Sequence, residues 1–88
     1  MRYAARTDAN KDQIVIALRA AGAYVWDLKL PVDLLVGYAG HTFLVEIKRD
    51  SKAPLTALQR TFFENWSGGT LARIDSPDAA LRMIGVLK

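Results

Sequence analysis

Residues 33–48 read DLLVGYAGHTFLVEIK. Two apolar, strand-forming segments, 33–38 and 42–48, flank Ala39 and Gly40, which is the pattern of a β-hairpin with a turn other than the favoured Asn-Gly. Side chains alternate between the faces of a strand, and the turn fixes which positions pair. Whether the turn is Ala39–Gly40 or the longer loop Tyr38–His41, Asp33 falls directly across from Glu46, and Lys48 lies two residues further on the same face. Like charges facing each other destabilise a sheet, so this pair requires a compensating partner. Opposite Cβ atoms lie roughly 4.5–5.5 Å apart, near enough for both carboxylates to reach one Mg²⁺. A metal held there acidifies a water and offsets charge on a phosphate, while Lys48 orients the nucleophile or stabilises the developing negative charge. An acid followed two residues later by a lysine also occurs on ordinary solvated strands. The hairpin parity and the position of all three residues at strand ends favour a site.

Working outward, Arg2 to Thr7 reads as a polar extended arm, and Asp8 or Asn10 as the cap of a helix running to about Ala21. Ile14, Val15, Leu18 and Ala21 form its buried stripe, and Gly22 ends it. A strand is expected over Ala23 to Leu28, closed by Pro31. Beyond the hairpin, Arg49 to Pro54 is a charged loop. Thr56 starts a second helix whose Leu58, Phe62, Phe63 and Trp66 recur at helical spacing, a pattern that predicts core packing rather than base stacking. Gly68 and Gly69 terminate this helix. Thr70 to Ile74 is a fourth strand, and Ser76 with Pro77 opens a last helix carrying Leu81, Ile84 and Leu87. The order αβββαβα, with a crossover long enough to be right-handed between the last two strands, predicts an α/β fold with a mixed four-stranded sheet flanked by helices.

With 88 residues the expectation is one domain, 1–88, with a core small enough for an oligomer interface to be useful. There is no cysteine and only one histidine, His41, so thiolate and conventional zinc chemistry are excluded and any metal must have oxygen ligands. His41 itself reads as a solvated turn residue. No apolar run reaches membrane-spanning length, and the first twenty residues carry charges instead of a leader's apolar stretch, so the cytoplasm is expected. Twelve Lys and Arg against nine acids give a net charge of +3, which permits a polyanionic partner without demanding one.

The chain resembles the virus-type replication-repair nuclease (VRR-NUC) domain of the PD-(D/E)XK nuclease superfamily, to which Holliday junction resolvases also belong. The likeness covers nearly the whole chain. It is carried by Arg6, Asp8, Ala9 and Asn10 before the first helix, Ile14, Val15, Ala17, Leu18 and Arg19 in it, and Gly22, Ala23 and Val25 after it. The central motif follows as Asp33, Leu34, Leu35, Val36 and Gly37 with Glu46, Ile47 and Lys48, and then Leu55, Thr56, Gln59, Phe62 and Trp66. The resemblance implies a restriction-endonuclease-like core and Mg²⁺- or Mn²⁺-dependent hydrolysis of DNA phosphodiesters. It also implies a metal held by Asp33, Glu46 and the Ile47 carbonyl, with Lys48 assisting water attack. Gln59 matches the family glutamine, which orients water or contacts phosphate, and equally stands at the capping-box spacing from Thr56. Two positions depart from the pattern. Pro31 lies one place early, and Gln13 stands where many relatives carry a first-helix glutamate.

The reading is therefore a structure-selective endonuclease acting on branched DNA such as Holliday junctions, working as a homodimer in a bacterial or phage-infected cytoplasm. Arg6, Asn10, Arg49, Lys52 and Arg60 are the candidate DNA contacts, with Arg2 and Arg6 on the arm. The alternatives are a nuclease nicking flaps or single strands without junction preference, a non-catalytic DNA-binding module that keeps the fold, and a protein-interaction domain with solvated charges.

Overall fold

The structure, a computed structural model, describes residues 2–48 and 54–88, the side chains of residues 2–9 excepted. Helix α1 spans Arg2–Ala20, β1 Tyr24–Asp27, β2 Leu34–Tyr38, β3 His41–Ile47, α2 Ala57–Asn65, β4 Thr70–Ile74 and α3 Pro77–Met83. The sheet order is β1-β2-β3-β4, with the first two pairings antiparallel and β3 parallel to β4. This is the αβββαβα order and mixed four-stranded sheet that the alternation and turn signals predict.

The central hairpin pairs Leu34 with Val45, Val36 with Phe43 and Tyr38 with His41. Its turn residues Ala39 and Gly40 have φ of 51° and 82°. Two successive positive φ values are the signature of a turn whose twist matches that of the flanking strands. Ala39 occupies the left-handed region at a cost, because its Cβ crowds the neighbouring carbonyl.

Alternation sorts the sheet into two unlike faces. Val25, Leu34, Val36, Phe43, Val45, Ile47 and Ile74 point to one side and form a single buried cluster with Ile14 and Leu18 of α1, Ala80 of α3 and Ile84 at the α3 C-cap. Both long-range helices thus cover the same face. Lys11 Nζ donates to Asp27 Oδ2 at 2.7 Å, tying α1 to β1 and holding the Asp27 carboxyl below its ordinary range. The pair is exposed and adds little stability. The opposite face carries Tyr24, Trp26, Leu35, Leu44, Glu46, Leu71 and Arg73, and α2 is the helix on that side.

Several expectations need correction. Residues 2–7 are the first turns of α1 and not an extended arm, and Asp8 and Asn10 lie inside the helix instead of capping it. Arg2 to Ala21 contains neither glycine nor proline, so nothing in the backbone stops the helix from extending to Arg2. Strand β1 is shorter than Ala23–Leu28, and α2 ends at Asn65, before the glycines. Phe62, Phe63 and Trp66 are not core, since no residue of α2 is buried and Trp66 is 39% exposed. The dry face of the sheet is already occupied by α1 and α3, so the apolar stripe of α2 has only the second face to meet. Leu87 falls beyond α3, which ends at Met83.

Two stability outcomes follow from this layout. Ala39→Asn, which creates the favoured Asn-Gly turn, raises unfolding free energy by about 1 kcal/mol. Leu18→Ala, at a fully buried position, lowers it by about 3 kcal/mol, whereas Leu58→Ala on exposed α2 changes it by roughly 0.5 kcal/mol or less. Urea denaturation followed by circular dichroism measures all three, and a destabilised Ala39→Asn protein would contradict the turn geometry.

Candidate active site

Asp33 stands one residue before β2, at the point where the β1–β2 hairpin closes. Its carbonyl accepts the N–H of Leu28 at 2.8 Å, which completes that hairpin. Its side chain reaches the other way, and Oδ2 accepts the N–H of Ile47 at 2.8 Å. The register carries Asp33 to Glu46 as hairpin parity requires, but the carboxylate has replaced the backbone at the end of the ladder. One of its oxygens is therefore structural.

Glu46 is the only buried charged side chain among the described residues, at 4% exposure. Its Oε2 accepts Gln59 Nε2 at 2.7 Å and lies 3.2 Å from Lys48 Nζ. Lys48 Nζ donates to Gln59 Oε1 at 3.1 Å, closing a triangle of carboxylate, ammonium and amide. The other oxygen, Oε1, is buried and has no hydrogen-bond partner among the described residues. Burial foremost, and then the charge of Asp33, push the Glu46 carboxyl above the ordinary glutamate range, while Lys48 and Gln59 pull the other way. Desolvation wins because two donors on one oxygen do not replace the water lost from both.

Gln59 fills both roles that its spacing allows. Its N–H donates to Thr56 Oγ1 and its Oε1 accepts the Thr56 N–H, each at 3.1 Å, a complete capping box. The same amide then bridges Glu46 and Lys48. The start of α2 and the acid centre are one hydrogen-bonded unit.

The structure thus brings together Asp33, Glu46, Ile47, Lys48 and Gln59. Arg60 is exposed on α2, with Nη2 donating to the Leu55 carbonyl at 3.4 Å. Asn10 is half-buried on α1, and Arg6 is in the same helix. Arg49 and Lys52 lie outside the described residues. Gln13 is exposed on α1, the helix on the opposite face of the sheet from Glu46. Arg73 is the residue that sequence reading missed. It pairs in register with Glu46 on β4, and its Nε and Nη2 are buried without hydrogen-bond partners among the described residues. The alternation in TLARI was the available signal, since a parallel β4 in this register sets Arg73 on the face of Glu46.

Comparison with protein-family models, curated proteins and solved structures gives no match to this chain. What the site can do rests on its own chemistry. Among the described residues no group of three or more acidic, histidine or cysteine side chains converges, so the donor set is two carboxylates and neighbouring carbonyls. That set fits a hard cation. Glu46 Oε1 is a buried acceptor with no partner among the described residues, and Asp33 retains an oxygen besides the one bonded to Ile47.

The acid pair has a testable thermodynamic signature in chelating buffer. The native state binds the Glu46 proton more tightly than the unfolded chain does. Wild-type stability therefore falls as pH rises from the ordinary glutamate range through the raised native value. Glu46→Gln raises the melting temperature at pH 7, and its advantage shrinks as pH approaches 4.5, the ordinary glutamate value. Asp33→Ala has the opposite sign, losing about 1–2 kcal/mol because the Ile47 N–H is left without its acceptor, while Asp33→Asn keeps an acceptor and loses less. Melting curves from pH 4 to 8 measure both trends, and a uniformly destabilised Glu46→Gln would count against the buried-charge account.

Proposed function

We propose that this protein is a metal-dependent, structure-selective DNA endonuclease of the VRR-NUC type, hydrolysing phosphodiester bonds in branched DNA. The observation that carries the reading is the buried Glu46, facing Asp33, with Lys48 and Gln59 gathered on one oxygen and the other oxygen without a hydrogen-bond partner among the described residues. Buried carboxylates without such a purpose are rare, because each costs desolvation free energy that the fold must offset.

Asp33, Glu46 and the Ile47 carbonyl are the groups that would hold Mg²⁺ or Mn²⁺. Such a cation supplies charge neutralisation at the phosphate and lowers the pKa of a bound water. Lys48 supports the attacking oxygen or the developing phosphorane charge, from a position fixed by its contacts to Glu46 and Gln59. Gln59 acts through the other two, aligning the ammonium and the carboxylate. Arg6, Asn10, Arg49, Lys52 and Arg60 remain candidates for phosphate contacts, and Arg73 adds a guanidinium in the rank beside Glu46. A DNA-binding module without cleavage is the second reading, favoured by a site with two acids among the described residues and by Gln13 in the opposite layer.

Resolution of a junction requires paired incisions, and one chain holds one site, so the reading extends to a two-fold homodimer. It is supported by large exposed apolar residues, Ile16 at 66% on α1 and Tyr24 and Trp26 at 68% and 54% on β1.

Incubation with labelled four-way, flap and linear DNA, with Mg²⁺, with Mn²⁺ and with chelator, tests the assignment. Cleavage is expected only with metal. Asp33→Asn, Glu46→Gln and Lys48→Ala each reduce it at least about 100-fold, and Gln59→Ala about tenfold. Metal-independent binding without cleavage selects the second reading, and sedimentation at micromolar concentration distinguishes dimer from monomer.

A further inference from the structure

The apolar side chains of α2 line a groove, not a core. Its volume is about 510 Å³, and its walls are Leu30 and Pro31 from the loop before β2 and Leu58, Thr61, Phe62 and Asn65 from α2. Leu30 and Leu58 are 73% and 65% exposed, so two large aliphatic side chains face an open cleft. The volume lies within the range of small-molecule clefts.

Its aromatic wall is a packed pair of rings. Phe62 lies 5.4 Å from Trp66, ring centre to ring centre, with 32° between the planes. Trp66 Nε1 donates to the Gly69 carbonyl at 2.7 Å. Its ring also packs so closely on Gly68 that a Cβ there would sit 2.4 Å from it. Trp66 therefore buttresses Phe62, which lines the groove and is partly exposed.

The groove and the acid centre are built from the same two segments of chain, the loop before β2 and helix α2. Pro31 is two residues from Asp33, and Leu58 and Phe62 flank Gln59 on the same helix. Lys29, exposed, precedes the wall residue Leu30 in the chain. An apolar cleft with an aromatic wall, next to the carboxylate–lysine centre proposed above to act on a phosphate, suits one ligand chemistry, a nucleotide. We infer that this groove receives one unpaired nucleobase of the DNA strand next to the phosphate presented to Asp33 and Glu46. The inference rests on the nuclease reading and deepens it. In a continuous duplex every base is paired and stacked, so occupation of the groove selects strands with a free or extruded nucleotide, such as flaps, gaps and branch points.

The test is a fluorescence-anisotropy titration of the full chain in chelating buffer with labelled flap and gapped DNA. Each DNA is made intact and with a single abasic site at successive positions around the branch. One position is expected to weaken binding about tenfold when its base is removed. That loss disappears in Phe62→Ala and in Leu30→Ser, the latter an exposed position whose change leaves the fold intact, and Phe62→Trp retains it. Affinity for continuous duplex is unchanged in all three. Equal affinity at every abasic position overturns the inference, as does absence of DNA binding. Base-insensitive binding together with loss of self-association in Phe62→Ala assigns the groove to a second copy of the chain and also overturns it. Metal-dependent cleavage, measured separately, distinguishes the two readings: cleavage without base sensitivity removes only the base site, and base sensitivity without cleavage removes only the nuclease.

Discussion

A carboxylate taken out of water must be compensated, and the geometry around Glu46 is organised by that requirement. The residue lies on the wet side of the sheet yet is buried, because α2 brings Gln59 down onto it while Lys48 folds back from the end of β3. Asp33 would add a second uncompensated charge. It is instead anchored by the Ile47 amide, which fixes its distance from Glu46 and uses one oxygen in doing so. The remaining acceptor capacity of the pair is what the proposed metal would use.

Stability and chemistry are separated by the two faces of one sheet. The face covered by α1 and α3 is apolar and dry, and it holds nearly all of the buried side chains. The other face has polar groups among its hydrophobic residues and a short helix that buries nothing fully. Polar residues can therefore be arranged on the second face with little consequence for the first. The adjacent strand positions Val45 and Glu46 belong to these two regimes, one in the core and the other in the site.

The sequence makes some of this legible and hides the rest for identifiable reasons. The hairpin 33–48 is self-specifying, because apolar alternation and a two-residue turn leave one register, and that register alone sets Asp33 across from Glu46. The capping-box spacing of Thr56 and Gln59 is equally local, and so is Ser76 before Pro77. The start of α1 misleads because Asp8 and Asn10 have the chemistry of caps, while the absence of any helix breaker upstream is a weaker cue to the eye. The stripe Leu58, Phe62 and Trp66 misleads for a different reason. Helical periodicity reports that a face is apolar and not what covers it, and here the core was already filled by other elements. Arg73 is invisible until the parallel register of β4 is known, since its relation to Glu46 is entirely non-local.

The dual bonding of Gln59 makes the assembly of the acid centre a population and not a fixed property. A helix with no buried residue has little besides its cap and its polar contacts to oppose local opening, so α2 belongs to the part of the molecule that exchanges most readily. When its first turn opens, the capping box, the Glu46 contact and the Lys48 contact are lost together, because all three use one side-chain amide. The apparent affinity of any ligand that needs the closed triangle is reduced by the fraction of molecules in which α2 is docked. By linkage, the same ligand slows hydrogen exchange at the amides of α2, so helix order and site occupancy are two readouts of a single equilibrium.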